Sequence, residues 1–333
     1  MEKVVIALDA MGGDYAPEQT VKGAVEAVNS SDEIHVILVG KQDMIAKELE
    51  KYEYAKEDIE VVHASEFIDM GDVPTVAIKD KKDSSLVVAM KLVREGKADA
   101  LVSAGSTGAV LVGGQLVVGR LKGIKRPPLA PFIPTTKGFS LLIDCGANVD
   151  ARPEHLVQFA QMGSIYYENV MGKKNPTVAL LNIGTEEEKG NQLVKDTKPL
   201  MKECKNINYI GSVEARELVS GAADVIVCEA FVGNVVLKFF EGLALTLFGS
   251  LKEGLMSSTR TKLGALLVKP ALKGLKNQFD TSSQGGAPLL GLKGLAVKAH
   301  GNSSSKEIEI ALKQCISFKK QKINEKIKES ICD

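Results

Sequence analysis

Short runs of Val, Ile and Leu alternate along this chain with longer stretches whose apolar positions recur every three to four residues. The short runs predict strands at residues 4–8, 34–39, 59–63, 98–103, 139–143, 177–181, 208–210 and 224–228. The longer stretches predict helices at 17–28, 42–51, 83–95, from 109 onward, 153–171 and 192–204. Pro17 stands near the start of its helix, Asp83 or Ser84 caps another, and Gly96 stops it. Residues 127–138 hold Pro127, Pro128, Pro131 and Pro134 and predict an extended or hairpin excursion. Continuous apolar runs, without in-and-out alternation, mark strands buried on both faces. The predicted class is therefore α/β: a mainly parallel sheet with helices on both faces. No internal repeat or low-complexity linker divides the chain. One continuous unit over 1–333 is expected, with room for two lobes around a central cleft.

After Gly233 the pattern changes. Residues 234–255 predict a long apolar helix, Ser257-Ser258-Thr259 interrupts it, and 262–276 resume as a basic amphipathic segment, so that 234–278 read as a helical hairpin. At about 100° per residue, Lys262, Lys269, Lys273 and Lys276 fall within a sector of about 60°. Pro270 predicts a break or kink near Lys269. The expected contact surface comprises Arg260, Lys262, Leu263, Leu266, Leu267, Lys269, Lys273 and Lys276. It suits either a lipid interface, with lysines on anionic headgroups and leucines inserted, or a dimer or lid element. Further on, 285–288 read as a loop and 295–299 as a strand. Ser303 or Ser304 caps a last helix with Ile308, Ala311, Leu312, Cys315 and Ile316 as its apolar positions.

Composition narrows the function classes. Hydrophobic residues make up 44% and charged residues 25% of 333, ordinary for a soluble globular chain. The net charge of zero provides no global basic field, and the absence of Trp removes the best stacking platform for bases, so no nucleic acid is expected as partner. The five cysteines, Cys145, Cys204, Cys228, Cys315 and Cys332, form no C-x-x-C and suggest no zinc site. Their odd number and the strand-like start fit a reducing cytoplasm. No run of about 18 uncharged apolar residues is present, so no membrane span is expected.

Candidate chemistry gathers at the strand ends, where parallel α/β sheets bind ligands. The polar ends are Asp9-Ala10-Met11-Gly12-Gly13-Asp14, Ser103-Ala104-Gly105-Ser106-Thr107-Gly108, Asp144-Cys145-Gly146-Ala147-Asn148, Asn182-Ile183-Gly184-Thr185, Glu229 to Asn234, and His300-Gly301-Asn302. The 103–108 stretch joins a buried strand to a helical run. Small residues, hydroxyls and unpaired helical N–H groups suit an anion there; a plain turn with Ser or Thr as N-cap accounts for the same residues.

Taken together and in order, these loops resemble the bacterial phosphate acyltransferases, the PlsX family, over almost the whole chain. In that family Asn often stands where this chain has Ser106. The resemblance implies a fold similar to isocitrate and isopropylmalate dehydrogenases and phosphotransacetylases. It implies transfer of a fatty acyl group from an acyl-carrier-protein thioester to inorganic phosphate, giving acyl phosphate for phospholipid synthesis, without cofactor or metal. It also implies a homodimer, cytoplasmic and peripherally bound at the inner face of the cell membrane, near the downstream glycerol-phosphate acyltransferase.

Phosphate is a competent nucleophile near neutral pH, so this chemistry needs orientation and charge stabilisation and no covalent enzyme intermediate. On that basis Ser103, Gly105, Ser106, Thr107 and Gly108 are expected to bind phosphate, with Lys238 neutralising it. Asn182, Asn234 or His300 is expected to donate to the oxyanion or departing thiolate. Asp9, Asp14 and Asp144, with Asn148 in the same turn as Asp144, are expected to orient donors or accept a proton. Cys145 as an acyl carrier is the lesser reading. The acidic carrier protein and anionic lipid compete for the basic hairpin. Two alternatives remain open: an NAD-dependent β-decarboxylating dehydrogenase of the same fold, and a non-catalytic phosphate- or lipid-sensing scaffold. The first lacks clustered arginines and a G-x-G-x-x-G here.

Overall fold

The computed structural model describes residues 3–279 and 284–331; the side chains of Lys276 and Asn277 are not among those described. In chain order the elements are β1 (Val4–Asp9), α1 (Glu18–Asn29), β2 (Ile34–Gly40), α2 (Gln42–Leu49), β3 (Ile59–His63), α3 (Pro74–Asp80), α4 (Ser85–Arg94), β4 (Ala100–Ser103) and α5 (Thr107–Gly113). There follow β5 (Phe132–Thr135), β6 (Gly138–Ile143), α6 (Pro153–Met171), β7 (Thr177–Asn182), α7 (Gln192–Glu203), β8 (Asn208–Glu214), β9 (Val225–Val227), α8 (Ala230–Met256) and α9 (Thr259–Phe279). The chain closes with β10 (Ala287–Leu289), β11 (Leu295–Lys298), α10 (Ser305–Lys320) and α11 (Ile323–Ile331).

The chain divides into two compact units. The first comprises residues 1–131, 161–175 and 282–333. Its six-stranded sheet runs β10-β11-β4-β1-β2-β3 and is parallel except for β10. The register pairs Leu8 with Val102, and Lys298 with Ser103. Asp9, Ser103 and Lys298 therefore end three adjacent strands at one level. Ile6, Leu8, Ile34, Leu38 and Leu101 are fully buried, as expected for strands covered on both faces.

The second unit comprises residues 132–160 and 176–281. Its sheet runs β5-β6-β9-β7-β8, parallel except for β5. Leu142, Ala179, Leu181, Val213, Ile226 and Cys228 form its core, and Val236 and Leu237 of α8 pack against it.

The α/β class with mainly parallel sheets is as expected, and several local readings are corrected. α3 falls in a stretch for which the apolar pattern predicts no element. Pro74 occupies its first turn, where its missing N–H is not needed. Ala287 and Pro288, within the 285–288 stretch expected to be loop, instead join Leu289 in β10 and pair antiparallel with β11. α8 begins four residues earlier than expected, because Glu229 caps it by accepting from the N–H groups of Phe231 at 2.6 Å and Val232 at 2.9 Å. Of the break or kink expected near Lys269, the break does not occur: α9 runs on through Pro270. This helix is exposed along most of its length, so the carbonyl that Pro270 leaves unpaired can be solvated. Ser304 caps α10, its N–H donating to Glu307 at 2.7 Å, and a separate α11 follows.

Candidate active site

In the first unit the turn after β4 is built on Asp9. This carboxylate is buried and accepts the hydroxyl protons of Ser85 at 2.6 Å and Ser103 at 2.7 Å. The Ser103 oxygen in turn accepts the Gly105 N–H at 3.1 Å. Burial pushes the Asp9 pKa up, against the opposing pull of Ser85, Ser103, the Met11 N–H and the charge of Lys298. Gly12 lets this layer close: a Cβ there would lie 2.4 Å from Asp9 Oδ2 and 2.8 Å from the Gly105 nitrogen.

Ser106 is the N-cap of α5, its Oγ accepting from the Ala109 N–H at 3.4 Å. Thr107, the next residue, is exposed. Gly108 lies against Pro74, whose Cγ would be 2.5 Å from an added Cβ. Asp14 is exposed and its N–H donates to the Gly301 carbonyl at 2.7 Å, which brings the His300 turn to the same sheet edge. The residues expected from the sequence in this unit thus converge, but with different tasks. Ser103, expected on the phosphate, gives its proton to Asp9 and is fully buried. The exposed hydroxyl of the turn belongs to Thr107.

Two residues of this layer escaped the sequence reading. One is Ser85, the other Lys298. The Lys298 side chain is buried and its ammonium donates to the carbonyls of Ala104, at 3.4 Å, and Ala299. A lysine that continues the apolar run Leu295-Ala296-Val297 was the available signal, because a buried ammonium requires partners.

In the second unit Asp144 is fully buried and closes its own turn. It accepts from the N–H groups of Ala147 at 3.1 Å and Asn148 at 2.8 Å, and from the Asn148 amide at 2.7 Å. Asp144 thus orients the donors of its own turn, Asn148 among them. Asn182, expected to donate to an oxyanion, directs its amide to the carbonyls of Gly184 at 2.9 Å and Lys189 at 3.1 Å. It staples the loop after β7. Lys198 of α7 completes that staple, donating to the carbonyls of Glu186, Glu187 and Lys189 at 3.0, 2.8 and 3.0 Å. Nothing in the sequence pattern singles out Lys198. Asn234 is exposed on the first turns of α8, beside Gly146. Lys238, expected to neutralise phosphate, pairs with Glu241 at 2.8 Å, and it belongs to the unit that does not contain the 103–108 turn.

Cys145 and Cys228 are buried, and burial pushes both thiols well up. Cys145 faces the Leu142 carbonyl at 3.6 Å. A thiol held protonated in this way is a poor nucleophile.

The hairpin of α8 and α9 carries the apolar surface. Phe231, Val235, Phe239, Leu243, Leu247 and Leu251 recur at four-residue spacing and are all exposed. Among the described residues α8 is long and apolar enough to cross a membrane, with a mean hydropathy of 1.6. Lys238, Glu241, Lys252 and Glu253 interrupt it, so it holds no run of about 18 uncharged apolar residues. Its first turn is nevertheless anchored in the fold, since Ala230 and Gly233 are buried. On α9, Leu263, Leu266 and Leu267 are exposed, as are Arg260, Lys262, Lys269 and Lys273. The side chain of Lys276 lies outside the described residues.

Residues 4–326 match the family described as "Fatty acid synthesis protein". The chain is 55% identical over 326 residues to a phosphate acyltransferase of Alkaliphilus oremlandii, covering 98% of this chain and 97% of that one. It is 50% identical over 324 residues to a phosphate acyltransferase of Clostridium acetobutylicum, covering 97% and 98%. Among solved structures, a phosphotransacetylase from Streptococcus pyogenes matches with a TM-score of 0.65 at 16% identity, over 95% of this chain and 94% of that one. That last likeness bears on the fold alone.

Proposed function

This chain belongs to the phosphate acyltransferase (PlsX) family, and from that membership we propose that it moves a fatty acyl group from an acyl-carrier-protein thioester to inorganic phosphate. The product is an acyl phosphate, a precursor for phospholipid synthesis. The observation that carries the reading is the 103–108 turn, which is held from beneath by Asp9, Ser85, Ser103 and Lys298 while Thr107 stays exposed.

A phosphate oxygen held at this turn attacks the thioester carbonyl carbon. The C–O bond forms, the C–S bond breaks, and the electron pair leaves on the carrier's sulfur, which takes a proton from solvent. A thiol with a pKa of about 8.5 is a tolerable leaving group, so no strong general acid is needed. Fixed N–H and hydroxyl donors lower the barrier because they need not reorganise as charge develops. Asp9 and Asp144 act in this scheme by orienting donors. His300, exposed at the turn after β11, is the donor proposed for the oxyanion or thiolate.

The exposed stripe of α8 supports a homodimer, because a monomer rarely leaves so long an apolar row to water. The exposed leucines and basic residues of α9 support peripheral attachment to the inner face of the cell membrane, beside the downstream glycerol-phosphate acyltransferase. The same basic residues suit an acidic carrier protein.

The test is turnover. Purified protein mixed with an acyl-carrier thioester and phosphate is expected to release free thiol and acyl phosphate, with no NAD or metal added. Thiol release independent of phosphate overturns the reading, and NAD reduction would favour a dehydrogenase.

A further inference from the structure

The 103–108 turn contains no charged side chain, yet the phosphate proposed to bind there carries nearly two negative charges. The buried carboxylate beneath it, Asp9, adds a further unfavourable charge when ionised. Lys238, the cation the sequence suggests, is paired with Glu241. Lys298 is different. It ends β11 directly beside Ser103 in the register, it is buried, and it shares the first unit with the turn.

Its contacts are specific. The Lys298 ammonium donates to the Ala104 carbonyl, and the N–H on the other side of that same peptide, from Gly105, donates to Ser103. Because a peptide is planar, holding its C=O and its N–H fixes the orientation of the whole unit. The Ser103 hydroxyl is itself held by Asp9. One peptide of the turn is thus clamped by a cation at one end and, through Ser103, by an anion at the other.

We propose that Lys298 is the positioning residue of the phosphate site: it clamps the Ala104–Gly105 peptide and supplies the fixed positive charge that offsets Asp9 and the bound anion. This rests on the phosphate-binding reading of the turn. It goes beyond that reading in assigning the charge balance to a buried lysine that does not need to touch the ligand.

Two substitutions separate charge from scaffold. Lys298→Gln keeps N–H donors for the two carbonyls and removes the charge; Lys298→Arg keeps the charge. For Lys298→Gln, the KM for phosphate is expected to rise about tenfold, equivalent to about 1.4 kcal/mol, while the KM for the thioester stays within about twofold. Phosphate should also lose its ability to raise the thermal unfolding midpoint of Lys298→Gln, and Lys298→Arg should recover part of both effects. An unchanged phosphate KM in folded Lys298→Gln overturns the proposal. So does an equal rise in both KM values without rescue by arginine, and so does failure of both variants to fold, since each assigns the lysine to the scaffold alone. If the unsubstituted protein shows no phosphate-dependent thiol release, the turnover reading fails. The phosphate-induced shift in unfolding midpoint, compared between the unsubstituted protein and Lys298→Gln, then still tests Lys298.

Discussion

Gly233 approaches the Asp144 carbonyl so closely that a Cβ on it would lie 1.9 Å from the oxygen. The first turn of α8 and the end of β6 can meet only because that side chain is missing. Gly233→Ala must therefore push the helix off the strand end. Overpacking of this kind costs about 1–3 kcal/mol, and contact with backbone places this case at the upper end. Urea unfolding should show the lowered midpoint. A midpoint equal to that of the unsubstituted protein would mean that the helix shifts freely.

Ser106 and Thr107 are neighbours with opposite expected behaviour. Ser106→Ala removes an N-cap and should lower stability by about 1 kcal/mol. Thr107→Ala leaves the cap intact and should leave the unfolding midpoint unchanged. Its effect is expected on the KM for phosphate, with a rise of about tenfold if a hydrogen bond to a charged group is lost. Kinetics at varied phosphate, run beside thermal unfolding of both variants, distinguishes the two. An unaltered KM in Thr107→Ala removes its hydroxyl from the site.

Glu309 links α10 to α1. It is nearly buried, pairs with Lys306 at 2.6 Å and Lys313 at 2.7 Å, and accepts from Ser30 at 2.9 Å. Burial alone would raise its pKa, but the two lysines and the hydroxyl prevail and hold it at about 2, against an ordinary 4.5. A carboxylate depressed in the folded state stabilises it above the unfolded pKa, and that contribution fades as pH falls from about 4.5 towards about 2. Glu309→Gln should therefore cost about 1–3 kcal/mol at pH 7 and almost nothing near pH 2. Denaturant titrations across that range provide the comparison. An equal loss at every pH would assign the effect to packing.

Leu267 is 84% exposed on α9. Leu267→Glu should reduce sedimentation with anionic vesicles while soluble turnover and the oligomeric state persist. Dissociation of an oligomer, seen by light scattering, would instead make the hairpin an assembly element.

Much of the fold was legible because burial leaves a simple trace. Ile59–His63 and Pro153–Met171 match their apolar patterns to the residue, and most other elements differ only at their ends. The misses have local causes. α3 has seven residues, too few for a helical period to show, and Pro74 reads as a breaker unless its place in the first turn is known. Pro270 predicts a break or kink, and the break is absent because an exposed helix can solvate the carbonyl it frees. Within the site, the glycines and hydroxyls of 103–108 were visible as residue types, and their division of labour was not. Ser103, Ser106 and Thr107 are chemically alike in the sequence. One is fully buried on Asp9, one caps a helix, and one is exposed.

By itself the sequence determined the α/β class, the family and the polar loops at the strand ends, because each depends on composition and order along the chain. Only the tertiary structure decided that Asp9, Ser85, Ser103 and Lys298 form one layer beneath the turn. Those residues are separated by up to hundreds of positions, and strand register brings them to one level. Hydrogen bonds act over about 3 Å in space and carry no mark in sequence distance. That is why the sequence marks Lys298 only as a lysine closing an apolar run, while the fold sets it beside Ser103 under the turn.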